Sequence, residues 1–197
     1  MLAMQSKLHR GFATAALAAT LAAPALADHA EPQKVNRELA GWMVGEFTLV
    51  DHQGNAFSAE QLAGRWTFVL LGDTRCGERC SAALAALAGM VQRIARTEAV
   101  KSTQVLFVSL DPAHDSTASL RRYLAPYGPH FIGARGSAEN LTRLVDDLTP
   151  PGAPSGAGRS PGSLLLVGPD RYVRGEFLPP YDVLQLTARF MKTRIGR

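Results

Sequence analysis

Cys76 and Cys80 are the only cysteines in the 197 residues, and they stand in the segment Gly72-Asp73-Thr74-Arg75-Cys76-Gly77-Glu78-Arg79-Cys80-Ser81. Three intervening residues place two thiols one helical turn apart, on one face and within bonding reach. Two chemistries follow. At a helix start, backbone N–H groups and the helix dipole favour the thiolate, which makes the pair reactive in thiol–disulfide exchange. Arg75 and Arg79 favour the thiolate further and Glu78 opposes them. Two soft thiolates on one face also suit Cu(I), which accepts low coordination numbers. The bland reading is an inert disulfide or two buried apolar side chains. By the helix-start argument Cys76 is the attacking thiolate and Cys80 the resolving one. Two cysteines cannot form a disulfide scaffold or a four-cysteine zinc site.

Three neighbouring residues invite roles. His114, in Asp111-Pro112-Ala113-His114-Asp115, is read as an exposed loop histidine; the alternative is a substitute metal ligand, because its loop follows a neighbouring strand. Asp73 is either a turn residue or a proton acceptor during thiol exchange. His52 sits in a hairpin turn and receives no role.

The pair needs a strand-to-helix turn to hold it, and the sequence supplies one. Residues 66–71, WTFVLL, form a continuous apolar run between Gly64 and Gly72, the pattern of a strand buried on both faces. Residues 82–96 have helical composition, with Leu84, Leu87, Met90, Val91 and Ile94 at helical spacing. Residues 104–110 read as a second buried strand. Ser116 or Thr117 caps a helix carrying Leu120, Tyr123 and Leu124; Phe131-Ile132 is a very short strand; Ser137 caps a helix with Leu141, Leu144, Val145 and Leu148. Phe47, Leu49 and the Asp51-His52-Gln53-Gly54 turn open an early hairpin. Residues 149–162 hold four prolines and four glycines and are a loop. Residues 163–167 and 171–177 make a late hairpin, and 181–192 a final helix. The alternation predicts an α/β fold with helices on both faces of a central sheet, and chemistry at the carboxyl end of a central strand.

The first 27 residues contain no acidic side chain; Lys7 and Arg10 precede an apolar, Ala-rich run that closes on Ala25-Leu26-Ala27. This is the pattern of a signal peptide cut before Asp28, which predicts a periplasmic protein in which close cysteines can pair. An uncleaved inner-membrane anchor is the alternative. Residues 28–44 read as a loose arm and 45–197 as the folded domain. The formal net charge of +4 is scattered, with no basic block, so nucleic acid is excluded as a partner.

Taken together, several segments resemble the Sco/SenC family: residues 47–54, Leu62-Ala63-Gly64-Arg65-Trp66, Thr74-x-Cys76-x-x-x-Cys80, Val108-Ser109-Leu110-Asp111-Pro112 with Asp115, Phe131-Ile132-Gly133, and Leu166-Val167-Gly168-Pro169-Asp170. The resemblance implies a thioredoxin-like fold with a central mixed sheet. It also implies handling of copper, or of partner thiols, during assembly of the copper centre of cytochrome c oxidase. Its partner is then a copper-accepting or cysteine-containing protein such as an oxidase subunit. The family's metal ligands fall on Cys76 and Cys80. Its third, a histidine eight positions before the late hairpin turn, falls on Ser160, which implies a weakened copper site. The alternative is a periplasmic thiol–disulfide oxidoreductase without metal. Ser160-Pro161 stands near where this fold places a cis-proline, and is read as an ordinary trans bond in a Pro-rich loop. A peroxidase reading is set aside, because the spacing is Thr74-x-Cys76 and no proline precedes it in the loop.

Overall fold

The computed structural model describes residues 41–153 and 160–196. The segment read as an export signal and residues 28–40 of the arm lie outside these. The chain forms β1 (Thr48–Asp51), β2 (Ala56–Ser58), β3 (Trp66–Gly72), α1 (Glu78–Ile94), α2 (Glu98–Lys101), β4 (Thr103–Ser109), α3 (Thr117–Leu124), β5 (Phe131–Arg135), α4 (Ala138–Asp147), β6 (Leu164–Val167), β7 (Val173–Phe177) and α5 (Val183–Ile195). The seven strands make one sheet in the order β2-β1-β5-β4-β3-β6-β7. β3, β4 and β5 are parallel, while the other pairings are antiparallel. The expected mixed α/β sheet is therefore present.

All seven residues of β3 are buried, because the strand is central and covered on both faces. Its side chains alternate between two cores. Trp66, Phe68 and Leu70 face α1, α3 and α5, with Val105, Phe107, Leu164 and Leu166 from the flanking strands. Val69 and Leu71 face α4, Val44, Phe47 and Leu62, beside Leu106, Val108, Leu165 and Val167. Each large apolar side chain so buried contributes about 1.5–3 kcal/mol relative to exposure. Trp66 and Phe68 are core residues: both pack edge-on against Phe190.

The predicted serine caps form. Ser116 accepts from the Ser119 N–H, and Ser137 from that of Asn140. β5 is longer than the two residues expected. Gly133, Ala134 and Arg135 extend it because β4 and β1 flank it on either side. A Cβ at Gly133 would meet Leu124 at 2.7 Å, so the glycine that hides the strand in the sequence is what lets α3 lie on it. Residues 41–44, the end of the stretch read as an arm, run against β7. The Trp42 indole donates to the Asp147 carbonyl at 2.6 Å, and its own carbonyl accepts from Val173 at 2.9 Å.

Candidate functional site

β3 and β4 run parallel and end level, Gly72 opposite Ser109. The segments that follow them, 73–77 and 110–116, leave the sheet side by side, and the Leu110 N–H donates to the Gly72 carbonyl at 2.7 Å. The first carries Cys76. α1 begins at Glu78, four residues before the helical composition starts, so Cys80 is the third helical residue, whereas Cys76 precedes the N-cap, Gly77. The sulfurs therefore do not meet as two positions on one helix. They meet because the chain turns at Gly77, whose φ of 69° lies in the region glycine favours. Cys76 and Cys80 are joined sulfur to sulfur in the structure, with their Cα atoms 5.7 Å apart.

The two cysteines are not equivalent. Cys80 is fully buried and belongs to the core of α1, β3 and β4, while Cys76 is half-buried at its margin. Gly72 makes room for this: a Cβ there would stand 2.5 Å from the Cys80 sulfur and 3.1 Å from the Phe107 ring.

A buried carboxylate holds the turn from the β4 side. Asp115 is 2% exposed. It accepts from the Thr74 backbone N–H at 3.1 Å, from the Thr74 hydroxyl, and from the Ser109 hydroxyl at 2.6 Å. It is a positioning residue for the segment two positions before Cys76. Asp73 does the same locally. Its carboxylate accepts from the Arg75 N–H at 2.8 Å and its carbonyl from the Cys76 N–H at 3.1 Å, so it builds the turn.

At the surface Arg75 pairs with Asp111, and His114 Nδ1 lies 2.8 Å from Asp111 Oδ1 and 3.1 Å from Arg75 Nη2. The hydrogen bond from His114, and then Arg75, hold the Asp111 carboxyl below the ordinary carboxylate range. His114 is exposed, as read, but ordered by these partners. His52 has a structural place: its Nδ1 accepts from the Gly133 N–H at 2.8 Å.

The loop before β6 arrives from the other side of β3. Gly162 N–H donates to the Leu71 carbonyl, and Leu71 N–H to the Ser163 carbonyl, which sets Ser160 at the cysteine end of the sheet. Ser160-Pro161 is not cis; the cis bond among the described residues is Pro179-Pro180. Tyr181 donates to the Gly162 carbonyl at 2.6 Å, and burial, then Glu176, pushes its hydroxyl up to about 12, so it remains a donor. A cavity of about 580 Å³ lies between Arg79, Ser160, Pro161, Leu178 and Pro179. Among the described residues, no three His, Cys, Asp or Glu side chains are gathered to hold a metal ion. The donor set at the turn is two sulfurs, which fits a soft cation such as Cu(I) and fits Cu(II) poorly.

Sequence reading found the cysteines through their spacing. It passed over Gly72, taken as a strand boundary, and it saw Asp115 only as part of a motif. The signal for the latter was a carboxylate at the mouth of a loop that leaves a buried strand beside the cysteine turn.

The SCO1/SenC family model matches residues 36–151, a stretch that includes both cysteines and stops before Ser160. The chain belongs to the SCO1/SenC family. Its relatives include a Stutzerimonas stutzeri protein named "Putative copper-binding protein", 33% identical over 88% of this chain and 88% of that protein. Another is the mitochondrial SCO2 homologue of Bos taurus, 30% identical over 51% of this chain but only 38% of its own length. Among solved structures, copper-bound ScoI of Arabidopsis thaliana superposes with a TM-score of 0.68 at 23% identity, over 79% of this chain and all of that one. BsSco, described as a member of the Sco family of cytochrome c oxidase assembly proteins with a disulfide switch, superposes at 0.60 and 21% identity, over 84% of this chain and all of its own. The fold is thioredoxin-like, as the resemblance implied.

Proposed function

We propose that this chain is an exported, periplasmic SCO1/SenC protein. It uses Cys76 and Cys80 to hold Cu(I), and to exchange with partner thiols, in assembly of the copper centre of cytochrome c oxidase. The observation that carries the reading is the cysteine pair itself: one sulfur half-buried and one fully buried, on a glycine-cleared turn at the carboxyl end of the central strand, in a chain of this family. Copper is the cargo. Cys76 and Cys80 receive it as thiolates, so binding releases their protons, and a partner offering further soft or imidazole donors takes it on. The copper-bound relatives and the S. stutzeri protein support this half of the reading.

The second half concerns sulfur chemistry. The reduced Cys76 thiolate attacks one sulfur of a partner disulfide, forming a mixed disulfide and releasing one partner thiolate. Cys80 then attacks Cys76, closing the intramolecular bond and releasing the second thiolate; two electrons pass to the partner. The partial exposure of Cys76 beside the fully buried Cys80 supports this order of attack. A thiol–disulfide oxidoreductase without metal is the second reading, and Ser160, which offers no imidazole, favours it. Residues 1–27 are the proposed export signal, and the proposed partner is an oxidase subunit with cysteines at its copper centre.

Complementation tests the proposal. In a bacterial host whose oxidase activity has been lost by deletion of its own SCO1/SenC protein, this chain restores activity and its Cys76→Ser and Cys80→Ser variants do not. Equal rescue by the variants, or none by the intact chain, overturns it.

A further inference from the structure

A cavity opens beside the cysteine turn, and we propose that it seats the partner segment whose sulfur Cys76 engages: a stretch of chain carrying an apolar side chain and a carboxylate close to its cysteine. This rests on the sulfur half of the reading above and names the class of partner segment that half requires.

The first argument is position. The cavity of about 580 Å³ has Glu78, Arg79 and Ala82 of α1 on one wall, and residues 160–163 and 178–181 on the others. Glu78 and Arg79 stand between Cys76 and Cys80 in the chain, so a segment seated there lies beside the cysteine turn. The volume falls within the range of about 300–1,000 Å³ usual for ligand sites.

The second is what the walls offer. Ala82, Pro161, Leu178, Pro179 and Pro180 make them largely apolar. The prolines carry no N–H. The Gly162 N–H is spent on the Leu71 carbonyl and the Ser163 N–H on the Ser160 carbonyl. A partner strand therefore finds no backbone donor along residues 161–163 or 179–180, and strand addition there is ruled out. Recognition falls to side chains, and these walls take an apolar one. They are also preorganised: the Tyr181 hydroxyl donates to the Gly162 carbonyl at 2.6 Å, which ties the two loops together and lowers the cost of ordering them on binding.

The third is charge. Glu78 and Arg79 are the first two residues of α1, where the helix N-terminus favours an acid and disfavours a base. Glu78 is compensated by its own helix. Arg79 is exposed, is opposed by that helix, and has neither an ion pair nor a hydrogen bond from its side chain among the described residues. It stands at the rim beside Gly162, where an added Cβ would lie 3.3 Å from the Arg79 Cβ. A carboxylate on the docked segment supplies the missing partner.

The test uses blocked peptides Glu-Leu-Cys-Leu-Glu, Lys-Leu-Cys-Leu-Lys and Glu-Gly-Cys-Gly-Glu, each joined through its cysteine to thionitrobenzoate, with the reduced full-length chain. The Cys76 thiolate attacks the peptide sulfur and expels the coloured thiolate; Cys80 then displaces the peptide thiolate and closes the intramolecular disulfide. Leucine speeds the reaction about ten-fold over glycine, and glutamate about three-fold over lysine. Arg79→Glu reverses the charge preference, a ratio from which any change in thiolate reactivity cancels. Ala82→Trp, at an exposed helix position, fills the apolar wall and removes the leucine preference. Equal rates for the three peptides with the intact chain, or preferences that survive these substitutions, overturn the inference and leave the thiol chemistry standing. Failure of the reduced chain to react with any of the peptides overturns both.

Discussion

The loop after β4 reaches the cysteine turn with side chains, whereas the loop before β6 reaches the same end of the sheet with backbone. From the first, Asp115, Asp111 and His114 engage Thr74 and Arg75 through charge and hydrogen bonds. From the second, Gly162 and Ser163 bond to Leu71, and Gly162, with φ 94°, passes against Arg79, where an added Cβ would stand 3.3 Å from the Arg79 Cβ. One flank of the turn is therefore electrostatic and the other steric. The difference teaches where charge can tune the thiols: on the β4 side.

Asp115→Ala breaks the comparison most severely. It leaves the Thr74 N–H and hydroxyl and the Ser109 hydroxyl without their acceptor, a cost of about 2–4 kcal/mol at a buried site, read by denaturant unfolding. The loosened turn also lets iodoacetamide modify Cys76 of the reduced chain several-fold faster. Unchanged stability would show that the turn stands without its carboxylate. Gly72→Ala strikes beneath both flanks. Its Cβ enters the space of the Cys80 sulfur and Phe107, and overpacking of this kind costs about 1–3 kcal/mol, measured the same way.

Ser160→His sharpens the comparison by placing an imidazole on the steric flank. In the reduced chain it raises Cu(I) affinity about ten-fold, roughly 1.4 kcal/mol, in a competition titration. No gain means that position 160 does not face the sulfurs. The smallest effect is that of Asp111. The His114 hydrogen bond, and then Arg75, hold its folded carboxyl below the ordinary aspartate range, so its contribution to stability is present above that range and is lost as pH falls through the lowered one. The Tm gap between the intact chain and Asp111→Asn should hold from neutrality to about pH 4 and close below it.

Legibility in the sequence followed range. The buried strand at 66–71 and the serine caps at 116 and 137 rest on neighbours within a few residues, and their composition shows them. The cysteine pair was visible for the same reason. The start of α1 was not, because Glu78, Arg79 and Ser81 carry no apolar signal and Cys80, buried beneath Gly72, is a single position. Asp115 acts on Thr74 across 41 residues, and the close approach at Gly72 depends on Phe107 from the next strand. Neither has a local signature. The same holds for β5, whose Gly133 reads as a breaker until α3 is laid over it.

The central claim is that the Cys76–Cys80 turn carries copper as well as electrons. A Cu(I) competition titration of the reduced full-length chain, against a Cys76→Ser/Cys80→Ser control, tests it most directly. Tight one-to-one binding that the control loses is the expected result. No binding by the intact chain, or equal binding by the control, would contradict it and leave the pair as a redox centre alone.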